Sequence, residues 1–186
     1  MGRGRLGARP GGAGSGQQRA RGLPEAGEAV TASQRLAELG IELPDVVPPV
    51  ASYTPAVRQG DVVYTAGQLP LVAGALLHTG KVGDGDGLVS EADAHAAARV
   101  AALNAVAAAA SAAGGVDNIA RVVKVVGFVA SEATFTGQPR VINGASDVLQ
   151  EIFGDAGVHA RSAVGVAVLP MDAPVEVELI VEVTTP

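Results

Sequence analysis

The sequence predicts an α+β domain, with a mixed β-sheet and two helices packed on one face. Residues 175–183 alternate apolar side chains with mostly acidic ones, which is the period of a strand with one buried face. Residues 90–115 are rich in alanine and end in two glycines, as expected of a long helix. The strand-like and helix-like segments follow one another in an order typical of a sheet with helices on one side.

The first predicted element is a short helix in the segment TASQRLAELG. Thr31 or Ser33 would cap its first turn, and Gly40 would end it. Leu36 and Leu39 would share its apolar face. The stretch AVRQGDVVYTAGQLP then predicts two short strands around the turn signal QGD. The following stretch, LVAGALLHTGKV, has the same strand-like character.

The strongest helix signal is SEADAHAAARVAALNAVAAAASAAGG. Ser90 and Asp93 have the spacing of a capping box, and Gly114 and Gly115 end the helix. Helical spacing predicts that one thin stripe faces the sheet, formed by Ala96, Val100, Leu103 and Ala107.

The remaining elements are one strand, one helix and two further strands. The mostly apolar run IARVVKVVGFVAS predicts an interior strand, and PRVINGASDVLQEIFG predicts the second long helix. Residues 162–169 and 175–183 are the closing strands. The face of the last strand that points away from the core would be largely acidic, with Glu176, Glu178 and Glu182.

Charge divides the chain into two parts. Residues 1–30 hold five arginines and two glutamates, so residues 31–186 keep 8 basic and 17 acidic side chains and a net charge of −9. We predict a disordered, arginine- and glycine-rich tail over residues 1–30 and a single domain over residues 31–186. The acidic domain would repel phosphate backbones and the tail lacks aromatic side chains, which argues against a nucleic-acid partner.

Several classes of site are not expected. The chain has no cysteine, which excludes disulfides and thiolate chemistry. No apolar run approaches the roughly 18 residues of a membrane span and the start lacks an apolar leader, so we expect a cytoplasmic protein outside the membrane. His78, His95 and His159 lack the spacing of a metal site, and the glycine runs GAGSG and GDGDG lack the setting of a phosphate loop.

One basic residue near the C-terminus stands out. His159 and Ser162 lie close together, but no glycine-elbow pattern marks a nucleophile and its base. Arg161, between them, lies among small apolar residues, and the planar fork of its guanidinium matches a carboxylate. That carboxylate belongs either to a bound ligand or to a strand glutamate, and spacing alone leaves both interpretations open.

Two motifs together resemble those of the reactive intermediate deaminase (Rid) family, also called the YjgF family. They are ASYTPAVRQGDVVYTAGQLP and RSAVGVAVLPMDAPVEVE, and the likeness covers residues 50–183. The spacing between Arg161, Leu169-Pro170 and Glu176 matches the family. The segment before it, including LAELGIELPDVVPP, exceeds the short members and indicates a divergent subgroup.

The resemblance implies a chorismate-mutase-like fold and a homotrimer with clefts between neighbouring subunits. It implies a small imino or keto acid as ligand and no metal or organic cofactor. The best-understood members hydrolyse reactive enamines and imines, released by pyridoxal-phosphate enzymes, to 2-keto acids and ammonia. By resemblance, Arg161 would grip the substrate carboxylate and Glu176 would position or activate water. The matching cleft residues are Tyr53, Gly67 and Asn143.

Two departures from the family leave the substrate open. Ala163 occupies the place, two residues after the arginine, where many deaminating members have a substrate-contacting cysteine, and Ala66 replaces a serine before the family glycine. Two other functions also stay open. One is a non-catalytic trimer that binds small carboxylates or has a regulatory role, and the other is the endoribonuclease activity after which some members are named.

Overall fold

The chain folds into a mixed five-stranded sheet with helices on one face. The fold is described from a computed structural model, which covers residues 1–2, 30–46 and 52–184. The predicted tail, residues 1–30, lies almost wholly outside these described residues.

The elements follow the predicted order. The helices are α1 (Ala32–Leu39), α2 (Glu91–Ala113) and α3 (Gln138–Phe153). The strands are β1 (Ala56–Gln59), β2 (Val62–Thr65), β3 (Leu71–Val72), β4 (Ala75–Leu76), β5 (Ile119–Ala130), β6 (Ala160–Val166) and β7 (Val175–Val183). The predicted α+β class with a mixed sheet is confirmed.

The main sheet has the strand order β1-β2-β7-β5-β6. Strands β5 and β6 are parallel, whereas the other neighbouring pairs are antiparallel. Strands β3 and β4 form a separate two-stranded hairpin. The strand predicted over residues 162–169 is β6, which begins two residues earlier because its parallel ladder with β5 starts at Ala160 and ends at Val166.

Strand β7 has the predicted two-faced character. Its odd-numbered residues from Val175 to Val183 are buried against the helices. Its even-numbered residues, which include Glu176 and Glu178, project from the opposite face and remain partly exposed. We call this second side of the sheet the open face.

Helix α2 packs against β7 and α3 through alanines. The predicted stripe is wrong for Ala96, which is exposed; Val100 is only partly buried, Leu103 is partly buried against the core and Ala107 is buried. Close approach of the helices selects the smallest side chains, and a backbone contact between Gly144 of α3 and the carbonyl of His95 leaves no room for a Cβ at Gly144. The buried residues are Ala94, Ala97, Ala98, Ala101, Ala102, Ala105, Val106, Ala107, Ala108, Ala109, Ala110 and Ala113.

By length and composition alone, α2 could also cross a membrane. The expectation that no apolar run reaches that length is therefore wrong. Within the fold, 61% of the helix's most apolar window is buried, as in the core helix of a globular domain.

Helix α1 packs against the C-terminal end of α3. Thr31 caps it as predicted, and Gly40 ends it in the left-handed conformation with φ of 65°. The Asp117 carboxylate accepts hydrogen bonds from the Ser33 amide at 2.8 Å and hydroxyl at 2.7 Å. Leu36 is buried, but the prediction that Leu39 shares its face is wrong, because only one side of this short helix contacts the domain.

We expect Leu36→Ala to lower the free energy of unfolding by roughly 2 to 3 kcal/mol, since it removes a buried side chain and leaves a cavity. Leu39→Ala is the matched control in the same helix, because Leu39 is 40% exposed, and its effect should stay under about 0.5 kcal/mol. Urea denaturation of both variants measures the difference. Equal effects would show that α1 does not dock through Leu36.

Candidate functional site

Arg161 lies on β6, at one edge of the main sheet. It pairs in register with Val125 of β5, whose side chain is fully buried under the helices. Because laterally paired residues of neighbouring strands project from the same face, Arg161 points towards the helical face. Its side chain reaches α3 there.

Three neutral acceptors on α3 hold the guanidinium. Nη1 donates to Oδ1 of Asn143 and to Oγ of Ser146, both at 2.9 Å. Nη2 donates to the carbonyl of Pro139 at 3.2 Å. Asn143 and Ser146 are three residues apart and so lie on the same side of the helix. The structure therefore brings the predicted residues Arg161 and Asn143 together, and we call these four residues the Arg161 cluster.

The charge of Arg161 is not neutralised within the described part of the chain. No described carboxylate lies within ion-pair distance of it, and the strand glutamates project from the other face. The interpretation of Arg161 as the partner of a strand glutamate is therefore not realised in this fold. Of the five N–H donors of an arginine, three are used on α3. One donor on Nε and one on Nη2 remain.

Glu176 lies on β7 and pairs with Phe128 of β5 on the open face. The chain after β2 crosses it closely: the backbone of Gln68 donates to and accepts from Val177 at 2.9 and 3.0 Å. A Cβ at Gly67 would overlap Oε1 of Glu176, so this position leaves space for the carboxylate only because it is glycine. We call Glu176 and Gly67 the Glu176 cluster.

The carboxyl of Glu176 has an altered acidity. Burial raises the pKa of Glu176 above its ordinary value, and the negative charge of neighbouring Glu178 raises it further. No described basic side chain forms an ion pair with Glu176. A proton is therefore held on this carboxyl at a higher pH than on an exposed glutamate.

The two clusters lie on opposite faces of one sheet. Arg161 follows the register of Val125, on the helical face, while Glu176 follows that of Phe128, on the open face. A single described chain therefore does not bring the two predicted reactive residues into one cleft.

The other two predicted site residues contribute differently. Ala163 lies two residues after Arg161 on the same face, pairs with Gly127 and packs against the hydrophobic core. Tyr53 is 54% exposed and forms no hydrogen bond to either cluster within the described residues. It follows residues 47–51, which the structure does not describe.

Sequence reasoning missed two members of the Arg161 environment. Ser146, on the buried side of α3, accepts from Arg161, and its Oγ lies 3.0 Å from Nε2 of His159. Nδ1 of His159 lies 2.6 Å from the carbonyl of Gly157. A serine one turn after Asn143 on the apolar side of α3 is the available signal for Ser146, whereas no sequence pattern distinguishes His159.

The described residues contain no group of three or more His, Asp or Glu side chains arranged to hold a metal ion. Two histidines do approach single acids. His78 lies 3.9 Å from Asp93 and His95 lies 3.7 Å from Asp147, and all four side chains are substantially exposed.

Comparison with known proteins places this fold in one family. The family model described as "YjgF/chorismate mutase-like, putative endoribonuclease" matches residues 33–183. Protein TCP17 of Trypanosoma cruzi is 42% identical over 161 residues, which cover 83% of this chain and 98% of that protein. The chain therefore belongs to the YjgF/chorismate mutase-like family.

Two solved structures support this assignment. Protein Atu1372 from Agrobacterium tumefaciens, described as having unknown function, is 43% identical with a TM-score of 0.75, covering 82% of this chain and 92% of that one. A protein from Shewanella oneidensis MR-1, described as "a putative endoribonuclease", is 34% identical with a TM-score of 0.77, covering 82% of this chain and 99% of that one. The family and the fold predicted from the sequence are confirmed.

Proposed function

We propose that this protein hydrolyses small 2-imino acids, and enamines that tautomerise to them, to 2-keto acids and ammonia. The observation that carries the proposal is Arg161, a cation surrounded by neutral acceptors that keeps two N–H donors on neighbouring nitrogens. Such a guanidinium is suited to the carboxylate of a small ligand, which accepts two parallel hydrogen bonds.

The reaction adds water to C2 of the protonated imine. The water oxygen forms a bond to C2 while one water proton passes to a base, which gives a carbinolamine. The protonated base then returns this proton to the amine nitrogen, the C2–N bond breaks to release ammonia, and the hydroxyl oxygen gives its proton back to the base as the C2 carbonyl forms. Glu176 is the proposed base, because a carboxylate with a raised pKa accepts a proton more readily than an ordinary one. Arg161 holds the substrate carboxylate and so fixes the position of C2.

The proposed site is shared between subunits of a homotrimer. The positions of Arg161 and Glu176 on opposite faces of one sheet support this, because each would then face its counterpart on a neighbouring chain. The open face also carries apolar side chains that this chain leaves uncovered: Val57, Tyr64 and Val164 are 52%, 47% and 45% exposed. Val57 and Tyr64 are paired on β1 and β2, whereas Val164 lies at the opposite edge of the sheet, so the exposed apolar residues are spread across the open face. Exposed apolar residues on a sheet face are typical of a subunit contact.

The direct test is release of ammonia and keto acid when the purified protein meets enamines generated in situ from serine or threonine. We expect turnover, with no effect of metal chelators. Binding of keto acids without ammonia release would instead identify a non-catalytic carboxylate-binding trimer. RNA cleavage should be assayed on the same preparation, because the descriptions of the family and of the Shewanella relative both contain the word endoribonuclease. RNA cleavage without imine hydrolysis would overturn the proposal.

The pH dependence of turnover should report Glu176. Since the carboxylate form accepts the proton, activity should fall as the pH drops through the raised pKa of Glu176, above the range of an ordinary glutamate. Glu176→Gln should lower kcat by roughly 100-fold or more and abolish this acid limb, while sparing keto-acid binding. If the activity of Glu176→Gln still fell at low pH as in the wild-type protein, a group other than Glu176 would cause that fall.

The same shift has a consequence for stability. The folded pKa lies above the ordinary value of 4.5, so the contribution of protonated Glu176 is fully present below that value and is lost as the pH rises through the folded pKa. At neutral pH, Glu176→Gln should therefore raise the midpoint of thermal unfolding slightly while it lowers turnover. A lower midpoint would show that the ionised carboxylate is stabilised by a partner.

A further inference from the structure

A hydrogen-bond chain lies behind the guanidinium of Arg161. Nη1 of Arg161 donates to Oγ of Ser146 at 2.9 Å, and this oxygen lies 3.0 Å from Nε2 of His159. Nδ1 of His159 lies 2.6 Å from the carbonyl oxygen of Gly157. Ser146 is only 8% exposed, so water does not readily replace these partners.

The directions of these hydrogen bonds follow from chemistry. The carbonyl of Gly157 can only accept, so Nδ1 of His159 carries a proton and donates it. In the neutral ring Nε2 is then an acceptor, and the hydroxyl of Ser146 donates to it. The guanidinium has no lone pair to offer, so Ser146 Oγ accepts from Arg161 while its own proton goes to His159. In this arrangement each of the three hydrogen bonds, from Arg161 to Ser146, from Ser146 to His159 and from His159 to Gly157, has one donor and one acceptor.

We propose that Ser146 and His159 are positioning residues that fix the orientation of the Arg161 guanidinium. We call the hydrogen bonds from Arg161 through Ser146 and His159 to Gly157 the relay. This proposal rests on the proposed function, because the orientation of the guanidinium matters for binding a substrate carboxylate. Both protons of Nη1 are committed, one to Asn143 and one to Ser146, so the plane of the guanidinium cannot rotate without breaking a bond. The remaining donors, on Nε and Nη2, are thereby held in one direction. His159 acts by fixing the Ser146 hydroxyl, whose proton would otherwise be free to turn towards Arg161.

Two substitutions of His159 separate the two ends of the ring. In His159→Gln the side-chain oxygen can occupy the place of Nε2 and accept from Ser146. In His159→Asn the amide nitrogen can occupy the place of Nδ1 and donate to Gly157, but nothing accepts from Ser146. Ser146→Ala removes the hydroxyl that links Arg161 to His159.

The first measurement is made without ligand. Nitrogen-15 NMR of the histidine rings in the full-length protein, at a pH at which the ring is neutral, should find the single ring proton of His159 on Nδ1. The Arg161 Nε proton should exchange with water several-fold faster in His159→Asn and Ser146→Ala than in the wild-type protein and His159→Gln. A proton on Nε2 in the neutral ring, or equal exchange in all four proteins, would overturn the relay.

The second measurement compares pyruvate with its uncharged carboxamide as ligands. We expect the preference for pyruvate to fall by about 5- to 10-fold in His159→Asn and Ser146→Ala, the effect of one neutral hydrogen bond, and by under about 3-fold in His159→Gln. Equal loss in His159→Gln and His159→Asn would overturn the positioning role. If the wild-type protein does not distinguish the two ligands, the proposed carboxylate site fails, and the relay is then decided by the exchange measurement alone.

Discussion

Replacing Arg161 with alanine should lower kcat/KM for imine hydrolysis by about 30- to 1,000-fold, which corresponds to a loss of roughly 2 to 4 kcal/mol of transition-state stabilisation. The substrate carboxylate would lose its only charged partner on the Arg161 cluster. Arg161→Lys should lose less, because the charge stays while the planar fork is gone. Both variants should bind keto acids more weakly.

The fold should survive these substitutions. Asn143 is exposed and can bond to water, and Ser146 keeps its bond to His159, so the cost in unfolding free energy should be about 1 kcal/mol. Arg140→Ala is a control on α3, where Arg140 forms an exposed ion pair with Glu91, and it should leave kcat/KM unchanged. Unfolding of Arg161→Ala with full activity per folded molecule would make Arg161 a structural residue only.

Gly67→Ala should have a comparably large effect by a different route. The new Cβ would overlap the carboxylate of Glu176, which is the flexible end of its side chain and would move aside. A displacement of about 1 Å can cost roughly 100-fold in rate, so we expect kcat to fall by that order. Stability should change by less than about 1 kcal/mol, because alanine at a position with ordinary backbone angles also restricts the unfolded chain.

A double variant identifies the cause of that loss. If Gly67→Ala acts by displacing the Glu176 carboxylate, then Gly67→Ala combined with Glu176→Gln should be no slower than Glu176→Gln alone. Steady-state kcat values of the two single variants and the double variant measure this. Fully multiplicative losses would show that Gly67 serves the reaction independently of Glu176.

The fold could be predicted from the sequence because its signals are local. The alternation of β7, the cap at Thr31 and the stop at Gly40 each depend on neighbours a few residues away. The buried stripe of α2 could not be predicted in the same way. That helix is apolar nearly all round, so periodicity does not identify the face on which the alanines allow α3 and the sheet to approach.

The candidate site was predictable only in part. The resemblance predicts Arg161, Glu176, Asn143 and Gly67 as site residues, and the fold brings them together in two pairs. The contacts of Ser146 and His159 depend on how α3 lies across β6, which no local pattern contains. That the two pairs lie on opposite faces follows from strand register, which is likewise a property of the folded sheet.

If the site is shared between chains, two inactive variants that lack different halves of it should restore activity when they assemble together. Arg161→Ala and Glu176→Gln subunits, co-expressed in equal amounts, should form mixed trimers. Random assembly leaves about one quarter of the shared sites with both wild-type residues, so the mixture should recover about one quarter of wild-type turnover. Mixed assemblies with no more activity than the average of the two variants alone would contradict the shared site.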